Sequence, residues 1–367
     1  MKFLELIEAI PDPRIEGKVR HSFSTILFTA LCGVLSGCES WAEIHHYCES
    51  KLDWLSKYVD FDEGVPSKWT FRRVFTILSP DMLEHLLLSH ASHIVNQGNE
   101  SKQICIDGKA LCGSKRIDVQ CLQSVSAWCN ENNLVLGERQ TDAKSNEITA
   151  VPQLLRWLAL NKSTVTIDAA GCQKSIAELI TSKKGHYVFG LKRNQKSLYN
   201  AVQDHINIIG VENQELLHDS FDDSHGRLVR RRYFGIDVSS LPQIEQWQGA
   251  KTVIATETIS SKYNDPKRKV TATWRYYLSS HKSNNKELPD YIRNHWAIEN
   301  KLHWVLDVHM KEDDDKKSER KSAGSFALLR RIALNIVRTN DKTPKKSLKV
   351  KLKNAAWDNN YLLKLLS

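Results

Sequence analysis

The stretch Gln103-Ile104-Cys105-Ile106-Asp107-Gly108-Lys109 and its later echo Val165-Thr166-Ile167-Asp168-Ala169-Ala170-Gly171 decide the fold. Each is a short apolar run that ends on an aspartate and then a turn residue, the pattern of a buried strand delivering an acid at its end. Around them lie further strand patterns at Val125 to Cys129, Leu134 to Arg139 and His186 to Leu191, with helical patterns at Asn146 to Leu160 and Gln173 to Ser182. Three strands followed by alternating helix and strand predict an α/β fold, a mixed sheet with helices on its faces.

Outward from this core, Met1 to about Asn99 has helical spacing: Phe3, Leu6, Ile7 and Ile10 recur before Pro11 and Pro13, and Ser24 to Val34, Trp41 to Tyr58 and Thr70 to Leu78 follow. With Arg72 and Arg73 near the start of the last helix, this segment is either a small DNA-binding domain or a helical cap on the sheet. On the other side, Lys192 to about Asp290 has one short helix and then turns β-rich at Arg227 to Asp237, Thr252 to Thr258 and Val270 to Leu278, as an insertion would. A long helical pattern from Asp290 to about Met310 and a basic tail with further helices complete the chain. A length of 367 residues suits two or three domains, or one with a large insertion. The divisions are 1–99 helical, 100–340 α/β with an insertion at about 192–290, and 341–367 basic tail.

The net charge of +9 points to an anionic partner, and its distribution is uneven. From Lys316 to Ser367 there are fourteen Lys or Arg against three Asp or Glu, so the rest of the chain is slightly acidic. The eight cysteines contain no C-x-x-C pair and are expected as buried free thiols of a reducing cytoplasm, with no zinc ribbon. Glu5 and Glu8 do not fit a signal peptide, and the uncharged stretch Ser22 to Cys38 is short for a bilayer span, so no membrane segment is expected. The acidic run Glu312-Asp313-Asp314-Asp315 is expected as a solvated turn, with metal or arginine contacts as its alternative.

Taken singly, Asp107 is equally a turn-forming residue and Asp168 equally a helix cap. Together, on neighbouring strands, their carboxylates would share hard divalent ions. The candidate third acid is Glu299, in Arg293-Asn294-His295-Trp296-Ala297-Ile298-Glu299-Asn300-Lys301-Leu302-His303-Trp304. There His295, Glu299 and His303 form an i, i+4, i+8 row that also admits a zinc site or simply a packed helix.

These motifs resemble those of the DDE transposases of bacterial insertion sequences, in the group that includes the H-repeat-associated proteins. The resemblance runs from Asp12-Pro13-Arg14 through Ile106-Asp107-Gly108-Lys109, Lys144-Ser145-Asn146-Glu147-Ile148, Thr166-Ile167-Asp168-Ala169-Ala170-Gly171-Cys172-Gln173, His295-Trp296-Ala297-Ile298-Glu299-Asn300 and Leu306-Asp307-Val308 to Ala333-Leu334-Asn335 and Trp357-Asp358. It departs at Ser67-Lys68-Trp69-Thr70, where Ser-His-Asp-Thr is expected, and at Ile292, His295 and Leu306, where the wider superfamily carries Tyr, Arg and Lys.

The resemblance implies an RNase H-like core with Asp107, Asp168 and Glu299 as catalytic and metal-holding acids, served by two magnesium ions with manganese as substitute. It implies cleavage at element ends and transfer into target double-stranded DNA, by a dimer or multimer, in the bacterial cytoplasm. Arg293, His295, Lys301, Lys345, Lys346 and Lys349 are the candidate DNA contacts. The alternatives are a nuclease without strand transfer and a transposase-derived DNA-binding protein without activity.

Overall fold

The computed structural model describes residues 2–15, 17, 19–95, 101–114, 121–141, 147–224, 226–262, 270–317, 319–343 and 346–367. The helices in chain order are α1 (Lys2–Glu8), α2 (Phe23–Leu35), α3 (Trp41–Ser50), α4 (Leu52–Leu55), α5 (Lys68–Ile77), α6 (Pro80–Val95), α7 (Glu147–Trp157), α8 (Lys174–Ser182), α9 (Lys196–Ile209), α10 (Leu288–His295), α11 (Trp304–His309), α12 (Arg320–Asn340), α13 (Leu348–Trp357) and α14 (Asn359–Leu366). The strands are β1 (Gln103–Leu111), β2 (Leu122–Cys129), β3 (Leu134–Thr141), β4 (Thr164–Ile167), β5 (His186–Leu191), β6 (Glu215–Ser224), β7 (Arg227–Asp237), β8 (Thr252–Lys262) and β9 (Thr271–Ser279). Serines start several of the helices: Ser22, Ser40, Ser67 and Ser347 each accept from the backbone N–H three residues on. The Trp41 to Tyr58 helix is broken at Lys51, and Asn146, the expected cap of α7, lies outside the described residues.

The strands form one sheet in the order β3-β2-β1-β4-β5-β9-β8-β7-β6. β1, β2 and β3 are antiparallel neighbours, and β4 and β5 join β1 in parallel through helical crossovers. The β-rich segment is not a separate sheet. β9 pairs antiparallel with β5, from Val188↔Ser279 to Leu191↔Tyr276, so β6 to β9 extend the same sheet sideways. β6 had no signal in the sequence because it is an edge strand with a bulge at Leu216/His218 and with Asp219, Asp222 and Asp223 along it, a pattern that discourages further pairing.

Alternation divides the sheet's side chains between two faces, each covered by helices. Ile104, Ile106, Val165 and Ile167 pack with α7 and α8 on one face. Cys105, Trp128 and Val135 join a second cluster with helices from both ends of the chain. Its centre is α12, buried from Ser322 to Val337. Trp41 stacks on Phe75 at 4.6 Å, meets Phe326 edge-on at 4.7 Å and donates from Nε1 to Ser322 Oγ at 2.7 Å. The described part of the basic tail is thus packed helix, with Leu352, Ala355, Leu362, Leu365 and Leu366 in this cluster, and Arg330, Arg331 and Arg338 are largely buried. Five cysteines are buried as expected, whereas Cys112 is exposed. No helix among the described residues is long and apolar enough to cross a membrane.

Asn335 of α12 ties this helix to the sheet. At the bulge in the β2–β3 ladder its Oδ1 accepts from Val135 N at 2.9 Å and its Nδ2 donates to Val135 O at 2.8 Å. Asn335→Ala leaves both backbone groups buried and unpaired and is expected to cost about 2–4 kcal/mol in urea unfolding.

Candidate active site

Parallel pairing of β1 with β4 runs from Gln103↔Thr164 to Ile106↔Ile167, and the next position on each strand is Asp107 and Asp168. The two acids therefore stand side by side at the carboxyl edge of β4, on the sheet face shared by Cys105 and Thr166. Asp107 was expected just beyond its strand but lies within it, because β1 continues against β2 (Asp107↔Ser126) where β4 stops. Asp168 leaves the sheet in a tight turn, its Oδ1 accepting from Ala170 N at 3.0 Å and Gly171 N at 3.3 Å. A Cβ on Gly171 would meet Ile167 Cγ2 at 2.2 Å, so this close return requires glycine.

α10 lies across the same face. Gln103 Nε2 donates to Tyr291 O at 2.7 Å, Cys105 Sγ lies 3.7 Å from Asn294 O, and Thr166 Oγ1 and His295 Nδ1 share a 2.9 Å bond. The helix expected to run on to Met310 is interrupted at Trp296, and Glu299–His303 forms a π turn before α11. Such a wide turn inserts a residue into the helical ladder and marks sites where side-chain placement matters more than regularity. Ile298, Leu302 and Leu306 face the core, and Glu299 is left exposed.

His295, Glu299 and His303 consequently do not form the regular row that their spacing suggests. His295 is bonded to Thr166, while His303 Nδ1 turns to within 3.7 Å of Asp107 Oδ2 and its Nε2 is buried with no hydrogen-bond partner among the described residues. Among the described residues no group of three or more His, Cys, Asp or Glu side chains is gathered tightly enough to hold an ion, neither His295, Glu299 and His303 nor the three acids. The three acids instead line one cavity of about 800 Å³. It opens where β5 ends at Leu191 and β9 runs on beyond Tyr276, and it is also lined by Lys192, Arg193, Arg275, Trp274, Trp296 and Tyr199. A site at the carboxyl ends of parallel strands is where α/β sheets present reactive groups.

Beside the acids lies an ionic network that sequence reasoning missed. Lys109 Nζ, almost wholly buried, is 2.7 Å from Asp307 Oδ1, 2.9 Å from Asp313 Oδ1 and 3.6 Å from Glu312 Oε2. Burial works against the charge of Lys109, but Glu312, Asp307 and Asp313 outweigh it and hold its pKa above the usual lysine value. Glu312 also pairs with Arg331, which reaches Glu138 on β3. The acidic run is thus a solvated turn only at Asp313 and Asp314: Glu312 is buried on arginine and lysine, and Asp315 pairs with Arg330 and Lys317, the arginine contacts of the alternative expectation. The chain enters this arrangement through Lys311 at φ +54°, after which Glu312 N donates to Leu306 O at 3.1 Å. That is a helix-ending geometry which favours glycine. The only sequence trace of the network is the polar alternation Ser124, Ser126 opposite Lys109 and Asp107.

Of the predicted DNA contacts, His295 lines the cavity, while Arg293, Lys301, Lys346 and Lys349 are exposed and Lys345 lies outside the described residues. Trp304 meets His309 edge-on at 5.2 Å, and His309 feels the charge of Lys349. An aromatic and basic strip therefore leads from the Glu299 turn along α11 to α13.

Two changes probe these environments. Lys311→Gly is expected to raise stability by about 0.5–1 kcal/mol in urea unfolding, since glycine meets no Cβ strain at positive φ. Burial pushes His295 down to about 4, and burial with neighbouring His186 and Lys251 pushes His281, bonded to Thr164 at 2.9 Å, down to about 4. Between their ordinary value near 6.5 and about 4 the unfolded chain binds protons that the folded chain does not, so stability falls as pH drops through that window. His281→Asn is expected to reduce the loss between pH 7 and pH 5 by on the order of 1 kcal/mol, measured as urea midpoints at both pH values.

The chain resembles known proteins over its whole length. A family model described as DDE_Tnp_1-associated matches residues 4–91, and one described as Transposase DDE domain matches residues 100–336. YbfL and the H repeat-associated YhhI, both of Escherichia coli K12, are each 38% identical over 373 residues, covering 100% of this chain and 98% of the relative. YncI of Escherichia coli O157:H7 is 38% identical over 99% of this chain and 94% of its own length. YhhI and YncI carry transposase in their names. A piggyBac transposase synaptic complex with hairpin DNA aligns over 100% of this chain and 78% of that chain at TM-score 0.40 and 10% identity.

Proposed function

Because this chain belongs to the Transposase DDE domain family, we propose that it cuts DNA at the ends of a mobile element and joins the freed ends to target DNA, using Asp107, Asp168 and Glu299. The observation that carries the reading is the single cavity lined by all three acids, two of them at adjacent positions on the sheet edge. The reading of an RNase H-like core is supported by the antiparallel β1–β3, the parallel β4 and β5, and acids at their carboxyl edge.

The donor types suit magnesium, with manganese as substitute, once Glu299 is drawn toward the two aspartates. Carboxylate oxygens from neighbouring strands face an open cavity, and hard divalent ions prefer oxygen ligands. Asp107 and Asp168 would hold two ions jointly and Glu299 would complete the set. Bound there, the ions would neutralise charge on the attacking and leaving oxygens of an in-line displacement. The chain's own residues bring the phosphate to that point. Lys192, Arg193 and Arg275 on the cavity wall offer charge to backbone phosphates, and Trp274 and Trp296 offer flat faces to bases. His295 and His303, neutral at pH 7 because burial holds both at about 4, shape the site without competing for phosphate charge. The first attack consumes water and leaves a 3′ hydroxyl, and that hydroxyl is the nucleophile toward target DNA. Duplex beyond the cavity would follow the strip of Lys301, Trp304 and His309 to Lys346 and Lys349 on and before α13. Assembly of two or more copies on the DNA belongs to the same proposal.

Asp168→Asn and Glu299→Gln are expected to lower magnesium-dependent cleavage roughly a thousandfold. The substrate is a duplex carrying the DNA that flanks the chain's own gene, and unchanged cleavage would remove the assignment. With a pre-cut end, joined product separates a transposase from a nuclease that only hydrolyses. Lys346→Ala combined with Lys349→Ala is expected to weaken binding of any duplex and to flatten the plot of log affinity against log salt by about 0.9 per lost phosphate contact.

A further inference from the structure

Glu299 sits on a turn that breaks helical register, so something outside the helix must fix where its carboxylate lies. One fixed point precedes the π turn and one follows it. Upstream, Thr166 on β4, two residues before Asp168, bonds His295 at 2.9 Å. Downstream, Lys109 on β1, two residues after Asp107, holds Asp307 at 2.7 Å. Each acid-bearing strand therefore supplies one attachment to the helical segment that carries the third acid.

We propose that Lys109 is a positioning residue of this site: its ion pair with Asp307 sets the Glu299 turn against the strand that carries Asp107. The inference rests on the reading of the three acids as the reacting centre. Leu302 and Leu306 seat the opposite side of the helix in the core, but apolar contact is non-directional and tolerates sliding. A 2.7 Å ion pair whose cation is 7% exposed instead fixes the separation of two named groups, while the hydrogen bond of the same ammonium goes to Asp313. Holding an ammonium out of water carries a desolvation cost of several kcal/mol that apolar packing of equal volume would avoid. The site meets that cost with three carboxylates around one cation, Asp307, Glu312 and Asp313. Glu312 and Asp313 flank the same ammonium from the turn that follows α11.

The test compares wild type, Lys109→Gln, Asp307→Asn, the double variant and Lys109→Arg. The readouts are cleavage of the flanking-DNA duplex across a magnesium titration, amide hydrogen exchange of residues 296–310 without metal, and thermal unfolding. Each neutralising single variant is expected to lower the cleavage rate and raise half-saturating magnesium, together about tenfold to a hundredfold in efficiency, the scale of an ångström-sized misplacement. The double variant is expected to be no worse than Lys109→Gln, because the Lys109–Asp307 contact is already lost there. Exchange in residues 296–310 is expected to speed up while residues 164–167 keep wild-type rates, and Lys109→Arg is expected to restore most of the metal dependence. Multiplying losses in the double variant would overturn the proposal. So would wild-type exchange in residues 296–310, or a loss of cleavage that follows thermal stability with no change in magnesium requirement. Asp168→Asn serves as the reference: if it cuts as wild type does, the reading of the acids falls, and the exchange data still decide whether Lys109 holds the helix.

Discussion

Everything at the site follows from where one parallel ladder stops. β1 and β4 pair through Ile106↔Ile167 and no further, since β4 turns away at Asp168 while β1 stays bound to β2. Ending there places two carboxylates next to each other in ionic surroundings without burying them in the core. The apolar residues just before them, Ile106 and Ile167, are held by α7 and α8 on the far face. A shift of one residue in this register would move the acids to opposite faces, so the hydrophobic pattern that secures the core also secures the pair.

The helical segment from α10 to α11 complements that edge with irregularity. A regular helix from Asp290 to Met310 would carry its side chains around at a constant angle. The π turn at Glu299–His303 lets Ile298, Leu302 and Leu306 remain in the core while Glu299 stands at the cavity. Polar bonds from both acid-bearing strands accompany this departure, at Thr166 to His295 and Lys109 to Asp307. The ionic network then passes through Glu312 and Arg331 to Glu138, linking the site to β3 and to α12, the helix on which the terminal helices pack. In such a network each buried charge depends on its partners, and removal of one leaves another uncompensated.

The extended sheet has a separate consequence. By pairing with β5, β9 forms one wall of the cavity and brings Trp274 and Arg275 to it, while β6 to β8 continue the sheet beyond. An insertion folded as an independent unit would have left that wall to a flexible joint. The overhang of β9 past the end of β5 makes the opening, and Lys192 and Arg193, at the point where the chain leaves β5, supply its positive rim.

The amino-acid sequence by itself determined the strands that carry Asp107 and Asp168, because alternation and apolar runs are local properties that the pleat converts directly into two faces. It also marked the helices of both ends and the β-rich character of the segment after Lys192. Glu299 was legible only through resemblance, since no local pattern distinguishes its exposed carboxylate from any other on a helix. Tertiary structure alone decided the π turn, the fusion of the β-rich segment into the same sheet and the burial of Glu312. The physical reason is common to the three: each depends on partners more than ten residues away, Arg331 for Glu312, β5 for β9, and β1 and β4 for the turn at Glu299. A charge-rich run such as Glu312 to Lys317 resembles a solvated loop until the chain folds and its counter-ions arrive from α12 and β1.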